Sequence, residues 1–425
     1  MVVIKKHKLS TIVIFTFFAI SFLVISIFNI FGLAIIFLLF LIIVFSCNKV
    51  NLMKIHLKNE DIHIIFLFYL PFFASLSTVS FISLFTSGLC PVYIEFYVTK
   101  IGRMINVSIF FALFLFTVNE RNNNRISTKT LFNAYVAGCC VLLFFGIWQI
   151  FNFLFGLPYP DFYTRDHIHS MDADFLIITR RVTSIAREPA FLVPYLLDAT
   201  IIIFYVLKKY YLLILFAVVL LFTLSLSAYI NFFLVLIVMI YLARKTMKGI
   251  LVKVLVFICC ICVLYLWGDI FFIVFQRLNP ADLFLSERLQ NSTLSIRYMF
   301  YEAPIFNLLF GFGPRGMSYI RNFTFYVSGW RQGEMIDNTT HIIFVDFLVE
   351  HGIIGMLIIG IMFYYLFKLA TRVFDRTGNR LGQVLCLNLL ISSFYTADYA
   401  SPRFTVIILL LLCIYKDSGE KRVGL

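Results

Sequence analysis

Most of the chain is divided into apolar runs of about 17 to 25 residues, the length that carries a helix through the hydrocarbon core of a bilayer. That feature restricts the fold to structures that satisfy every backbone N–H and C=O internally. Of 425 residues, 61% are hydrophobic and 13% charged, and Phe alone occurs 52 times. A water-soluble chain of this length has too little interior to hide so much apolar surface. An outer-membrane barrel would show alternating segments of roughly 10 residues, whereas these runs are continuous. The expected fold is an all-α polytopic integral membrane protein, with residues 1–425 forming one transmembrane domain. No internal repeat and no separate soluble unit is expected. The basic start at Lys5, Lys6 and Lys8 leads into a long apolar run without a small-residue cleavage site. It reads as an uncleaved first span.

Apolar windows place about twelve spans, near 10–28, 31–47, 62–80, 92–118, 130–156, 189–206, 212–227, 229–243, 251–267, 342–367, 381–396 and 404–415. Strict alternation puts both termini and the short loops near 48–61, 119–129, 207–211, 244–253 and 368–380 on one side. These segments carry 22 basic residues, and by the positive-inside rule that side is the cytoplasm. The other side receives two long loops, 157–188 and 268–341, and a short one at 397–403. The fourth span holds Glu95, Lys100 and Arg103 in its first half. Charge inside a membrane is costly and usually functional. A helix that begins late, with these charges still among the headgroups, accounts for them equally well.

The two sides differ in the kind of cation they carry. All eleven basic residues on the outer side are Arg, whereas 15 of the 16 Lys are cytoplasmic. Arg presents a planar fork that grips phosphate in bidentate fashion and stays charged. An anionic, phosphate-bearing ligand is the expected partner of that face.

Outer-side polar chemistry gathers in three places. In RRVTSIAREPAFLVPYL, 180–196, Arg180, Arg181, Arg187 and Glu188 come just before Pro189, a residue suited to a first helical turn. Glu188 there is either a simple cap favoured by the helix dipole or a working group. The second place is the long loop with Arg277, Arg288, Arg297, Arg315, Arg321 and Arg331, where a membrane-surface helix around Arg297 precedes the turn GFGPRG, 311–316. That turn has the spacing of a dinucleotide fingerprint, but no strand leads into it and it lies on the outer side. It is read instead as a turn whose glycines let the backbone approach a ligand or a neighbouring helix.

The third place is DNTTHIIFVDFLVEHGIIG, 337–355. Asp337, Asn338, Thr339 and Thr340 offer capping groups, which sets His341 in the first turn of the tenth span. At 100° per residue, Gly352 and Gly355 fall about 20° and 40° to either side of His341, with Glu350 on the opposite face. Both glycines then line the His341 face, where a neighbouring helix can pack closely.

Eight of the nine Cys lie within or at the ends of spans, and Cys90 has no outer partner, so disulfides are not expected. The CCIC at 259–262 reads as small core residues rather than a metal cluster. His167 and His169, with Asp166, Asp172 and Asp174, imitate a metal cluster, but no metal is expected there. Asp198, deep in a span, is either a transport group or a satisfied core residue.

Taken together, the spans, the R-x-x-S-x-x-x-E-P run at Arg181–Pro189, the outer loop ending in F-G-x-G, and H-x10-G-x-x-G at His341–Gly355 resemble a known family. It is the Wzy-type O-antigen polymerase and O-antigen ligase superfamily of membrane glycan transferases. Ligases favour Asn, Ser or Gln after the His, where this chain has Ile342. The resemblance implies a GT-C type membrane fold and an O-antigen polymerase of the bacterial inner membrane, working at the periplasmic face. It implies an inverting, metal-independent transfer of a glycan from undecaprenyl pyrophosphate to another lipid-linked repeat unit. No cofactor and no nucleic-acid partner is implied. Membrane lipids and a chain-length regulator protein are the other expected partners. By carry-over, Arg181 and Arg297 neutralise the pyrophosphate, with Arg180, Arg187 and Arg315 as further contacts. His341, or alternatively Glu188, accepts the acceptor's proton. The alternatives are an O-antigen ligase and a lipid-linked oligosaccharide flippase.

Overall fold

The computed structural model describes residues 56–85, 94–160, 181–186, 188–223, 225, 229–235, 237, 287–317, 320, 342–396, 399 and 401–419. Among these residues there are helices and turns and no strand. Helix α1 runs through Asn59–Ile64, a π-helical stretch Ile65–Tyr69, and Leu70–Phe85. It is followed by α2 (Ile94–Asn122), α3 (Thr128–Phe155) and α4, which joins Pro189–Ile202 to a second π-helical stretch, Ile203–Leu207. Then come α5 (Tyr210–Phe222), α6 (Glu287–Tyr301), α7 (Ile305–Phe310), α8 (Ile343–Thr377), α9 (Leu381–Ser392) and α10 (Pro402–Gly419).

Local chemistry sets several helix ends. The Ser127 hydroxyl accepts from Thr130 N–H at 3.2 Å and so caps α3. Pro189 opens α4 at a position where its missing N–H costs nothing. Among the described residues, five helices are long and apolar enough to cross a membrane: Asn59–Thr78, Arg103–Asn122, Thr128–Phe155, Pro189–Leu207 and Ile343–Thr377. Tyr210–Phe222 and Leu381–Ser392 are apolar but shorter. These seven, with α10, correspond to eight of the expected windows. The windows at 10–28, 31–47 and 251–267, and about half of 229–243, lie outside the described residues.

Helix α8 is the hub of the bundle. It packs against α1, α6, α7, α9 and α10, while α4 bridges α3 and α9, and α10 also touches α2 and α3. Tyr69, Phe72, Phe114, Phe132, Phe216 and Phe347 fill the space between them. Large apolar side chains such as Phe144, Phe155, Ile214, Leu357 and Tyr364 face outward. An apolar perimeter of this extent suits lipid rather than water.

The two ends of the bundle are chemically distinct. At one end, Lys416 Nζ donates to both oxygens of Asp61, at 2.6 and 2.7 Å, and to Asn122 Oδ1 at 2.8 Å. Arg121 pairs with Asp417 and donates to Thr128 Oγ1 at 3.3 Å. The starts of α1 and α3 and the ends of α2 and α10 therefore meet, as segments assigned to one side should. At the far end, the ends of α3 and α9 meet the starts of α4, α8 and α10. There Ile343 N–H donates to Ser393 O at 2.9 Å, and Gln149 holds the chain just before α4.

Candidate functional site

The far end is organised by a break in α8. Gly352 has φ 70° and ψ −169°, which interrupts the helix and turns two carbonyls outward. The turn after α7 takes them up: Phe312 N–H donates to Val349 O at 2.8 Å and Gly313 N–H to Glu350 O at 2.9 Å. The approach is so close that a Cβ on Gly311 would overlap the backbone of Glu350 and His351. A Cβ on Gly352 would likewise overlap the backbone of Leu309 and Phe310. Both glycines also hold positive φ, 80° and 70°, where other residues are strained. The G-F-G turn thus serves as a clasp on a neighbouring helix, one of the two roles expected of it.

The clasp delivers Arg315 to Glu350. Arg315 sits at φ 57°, the left-handed region that a non-glycine residue seldom adopts, and its N–H donates to Glu350 Oε1 at 2.9 Å. The buried Glu350 is also approached by Arg103 of α2, whose Nη2 lies 3.4 Å from Oε1. Its other oxygen accepts a short hydrogen bond from the Tyr399 hydroxyl. That hydroxyl in turn accepts from Arg103 Nε at 3.2 Å, and the guanidinium carbon lies 4.6 Å from the Tyr399 ring centroid. His351 is buried beside this cluster, with ring centroids of Phe347, Phe72 and Tyr399 at 4.7, 5.7 and 6.4 Å. Burial, and next the charge of Arg103, push the Arg315 guanidinium below its ordinary range against the pull of Glu350. Two guanidinium groups are therefore held near one carboxylate. Replacing Tyr399 by Phe keeps the ring but removes the partner of both Glu350 and Arg103. We expect a loss of about 1–3 kcal/mol, seen as a lower thermal midpoint of the detergent-solubilised protein. An unchanged midpoint would show that only the ring matters.

A second buried network lies on α4. Asp198 Oδ2 accepts from Arg403 Nε at 2.5 Å and Tyr135 O–H at 3.0 Å, and its Oδ1 accepts from Asn388 Nδ2 at 2.6 Å. Arg403 Nη1 donates to Ser392 Oγ at 2.8 Å. One carboxylate thereby ties α3, α4, α9 and α10 together. Of the two readings of Asp198, the satisfied core residue is the one observed.

The sequence-derived candidates are distributed unevenly over this frame. Arg181 is half-buried at the start of a segment stitched onto α3. Gln149 Oε1 accepts from the backbone N–H of Thr183 and Ser184 at 2.9 and 2.8 Å, and Ser184 O accepts from the Tyr159 hydroxyl at 3.0 Å. Glu188 is the buried N-cap residue of α4, where the helix dipole favours its charge, and its side chain makes no capping hydrogen bond. Its backbone carbonyl accepts from Phe191 N–H instead, at 3.1 Å. Arg297 is exposed on α6, whose inward side carries Ser295, Tyr298 and Met299. Arg315 alone of these candidates joins the Glu350 cluster. Arg180, Arg187 and His341 lie outside the described residues, as do His167 and His169.

Three expectations about the 337–355 segment need correction. Helix α8 begins at Ile343 with Ile342 as N-cap and without a side-chain capping bond, so it does not reach back to position 341. The wheel drawn from His341 fails because Gly352 is not helical, and a wheel presumes unbroken φ/ψ. Gly352 meets α7, while Gly355 makes room for the Cβ of His351 on its own helix. Glu350, assigned to the face away from the chemistry, is the centre of the cluster. Tyr399 escaped notice because a single Tyr in a short loop carries no pattern. Arg103 did carry a signal, as a charge inside a span.

No group of three or more His, Cys, Asp or Glu is arranged to hold a metal among the described residues. Cys139, Cys140, Cys386 and Cys413 are free thiols within α3, α9 and α10. The chain was also compared with known proteins. Residues 211–360 match the family model described as O-antigen ligase. That segment contains Arg297, the G-F-G clasp, Arg315 and the Gly352 break. No curated protein matches the chain.

Proposed function

We propose, from the kinship of residues 211–360 with the O-antigen polymerase and ligase superfamily, that this membrane protein is an O-antigen polymerase. It moves a glycan from undecaprenyl pyrophosphate to a second lipid-linked repeat unit. The observation that carries the reading is the far end of the bundle, where arginines from an outer turn and a membrane helix gather at a glycine-built break. It agrees with the all-Arg composition of the outer side.

The chemistry asks little covalent work of the protein. The acceptor hydroxyl attacks the anomeric carbon, the new glycosidic bond forms with inversion, and the bond to the diphosphate breaks. Electrons of the broken bond leave with the diphosphate. Its growing charge is met by Arg181 and Arg297, with Arg180, Arg187 and Arg315 as further contacts. Fixed guanidinium groups positioned in advance supply electrostatic stabilisation without reorganising during the step. The proton of the acceptor passes to His341, or alternatively to Glu188. Such a base contributes about 10²–10⁴ in rate.

Arg181→Ala and His341→Ala are expected to leave the protein inserted but to give lipopolysaccharide carrying a single repeat unit on a gel. Ladders of normal length from both variants would refute the assignment. The ligase, which joins the finished chain to lipid A–core, differs in its null phenotype. Loss of a polymerase leaves one capped unit, and loss of a ligase leaves bare core. A flippase null accumulates repeat units on the cytoplasmic side. The flippase reading drew on Asp198 as a transport group, and the closed bonding of Asp198 to Tyr135, Asn388 and Arg403 takes that support away.

A further inference from the structure

We propose that Arg103, on the membrane-spanning α2, contacts phosphate directly and acts with Arg315 as a two-armed clamp on the diphosphate of the lipid-linked donor. The inference rests on the transferase reading above and adds to it a residue that came from the membrane helix rather than from the outer loops.

Depth in the bundle is the first support. Arg103 and Arg121 lie 18 residues apart on α2, about 27 Å at 1.5 Å per residue. Arg121 belongs to the Lys416 end, through Asp417 and Thr128. A rise of that size nearly matches the hydrocarbon core, so Arg103 stands at the opposite margin of the bilayer, at the level of phosphate headgroups. A prenyl diphosphate whose tail lies in the bilayer presents its phosphates at that depth.

Preorganisation is the second. Arg103 Nε is committed to the Tyr399 hydroxyl, the guanidinium lies over the Tyr399 ring, and Nη2 faces Glu350. Nη2, although 3.4 Å from Glu350 Oε1, is buried without a hydrogen-bond partner, and 11% of the side chain is exposed. The guanidinium is thus fixed through Nε, and its Nη2 keeps donor capacity that no bond uses. Glu350 does not complete it: Oε2 accepts from Tyr399, Oε1 accepts the Arg315 N–H, and Oε1 stands 3.4 Å from Nη2 without a hydrogen bond.

The neighbouring cation is the third. Arg103 lies close enough to depress the Arg315 guanidinium, although Glu350 lies nearby. An anion between two like charges relieves their repulsion. The left-handed backbone of Arg315 and the paired glycines hold that arrangement at a cost in strain, as functional sites commonly do. A diphosphate supplies two adjacent anionic groups for two planar forks.

The test measures binding to the full-length protein in phosphatidylcholine nanodiscs, with inorganic pyrophosphate, geranyl pyrophosphate and phosphatidylglycerol as probes. Wild type is expected to bind geranyl pyrophosphate, Arg103→Gln to bind it about tenfold or more weakly, and Arg103→Lys to fall between. Melting without a probe establishes that each variant is folded, and if Arg103→Gln is not, Arg103→Lys decides by the same comparison. Equal binding by wild type and Arg103→Gln, with weakened binding by Arg315→Gln, overturns the clamp and leaves the transferase reading standing. No binding of either diphosphate by wild type overturns both. If phosphatidylglycerol competes as well as geranyl pyrophosphate, and Arg103→Gln abolishes that competition, the site holds an ordinary headgroup and the donor clamp is wrong.

Discussion

Asp198→Ala should destabilise the protein by about 3–5 kcal/mol, because the buried Arg403 guanidinium then keeps its charge without a counter-ion. Tyr135 and Asn388 lose their acceptor in the same step, and neither can reach water. The comparison that isolates the pair is a double-mutant cycle with Arg403→Met. Removing both charges together should cost much less than removing Asp198 alone, since the large term is an uncompensated ion rather than a lost bond. Unfolding midpoints of the three variants in one detergent give the result. A midpoint for Asp198→Ala equal to wild type would mean that water reaches the network and that the network is not what binds α3, α4, α9 and α10 together.

Gly352→Ala should be damaging for a different reason. The added Cβ falls on the backbone of Leu309 and Phe310, which cannot rotate away as a side chain could. The residue must also hold φ 70° with ψ −169°, a region essentially reserved for glycine, which costs an L-residue about 1–3 kcal/mol before any clash is counted. The clasp between α7 and α8 opens, Phe312 and Gly313 lose their carbonyl partners, and Arg315 is released from Glu350. A melting point well below wild type and loss of polymer are expected together. Gly360→Ala on the same helix is the matched control, because nothing lies within 4 Å of its added Cβ. Ala at that helical position should be neutral or stabilising by up to about 1 kcal/mol. If both variants behave alike, the break is not a built feature.

Much of the helical frame was legible because its signal is local. A window of apolar residues either is or is not long enough to span, and the observed α1, α3, α4 and α8 begin within about three residues of the expected starts. Three of the segments assigned to one side by their Lys and Arg, 48–61, 119–129 and the C-terminal one, are joined through Lys416, Asp61, Asn122 and Arg121. The turn at 311–316 was read as a close backbone approach from glycine spacing alone, although its partner was not named.

The candidate site was legible only in part. Arg315 was flagged, but among five other arginines of its loop. Glu350 was set aside by a helical wheel that assumed regular geometry across Gly352, and that residue is where the geometry changes. Ser184 and Thr183 could not have been connected to Gln149 by any periodicity, since one Gln inside an apolar helix has no repeat to betray its partner.

By itself the sequence determined that the chain is built of apolar helices of membrane-spanning length. Length against bilayer thickness and the cost of unsatisfied backbone in lipid leave no other solution. Tertiary structure alone decided which polar groups meet. Arg103 reaches Tyr399 across 296 positions, and Arg403 reaches Asp198 across 205. Each such group is one residue without a period, and its partner is fixed by how the helices pack and by the two glycines that let a turn close on a broken helix.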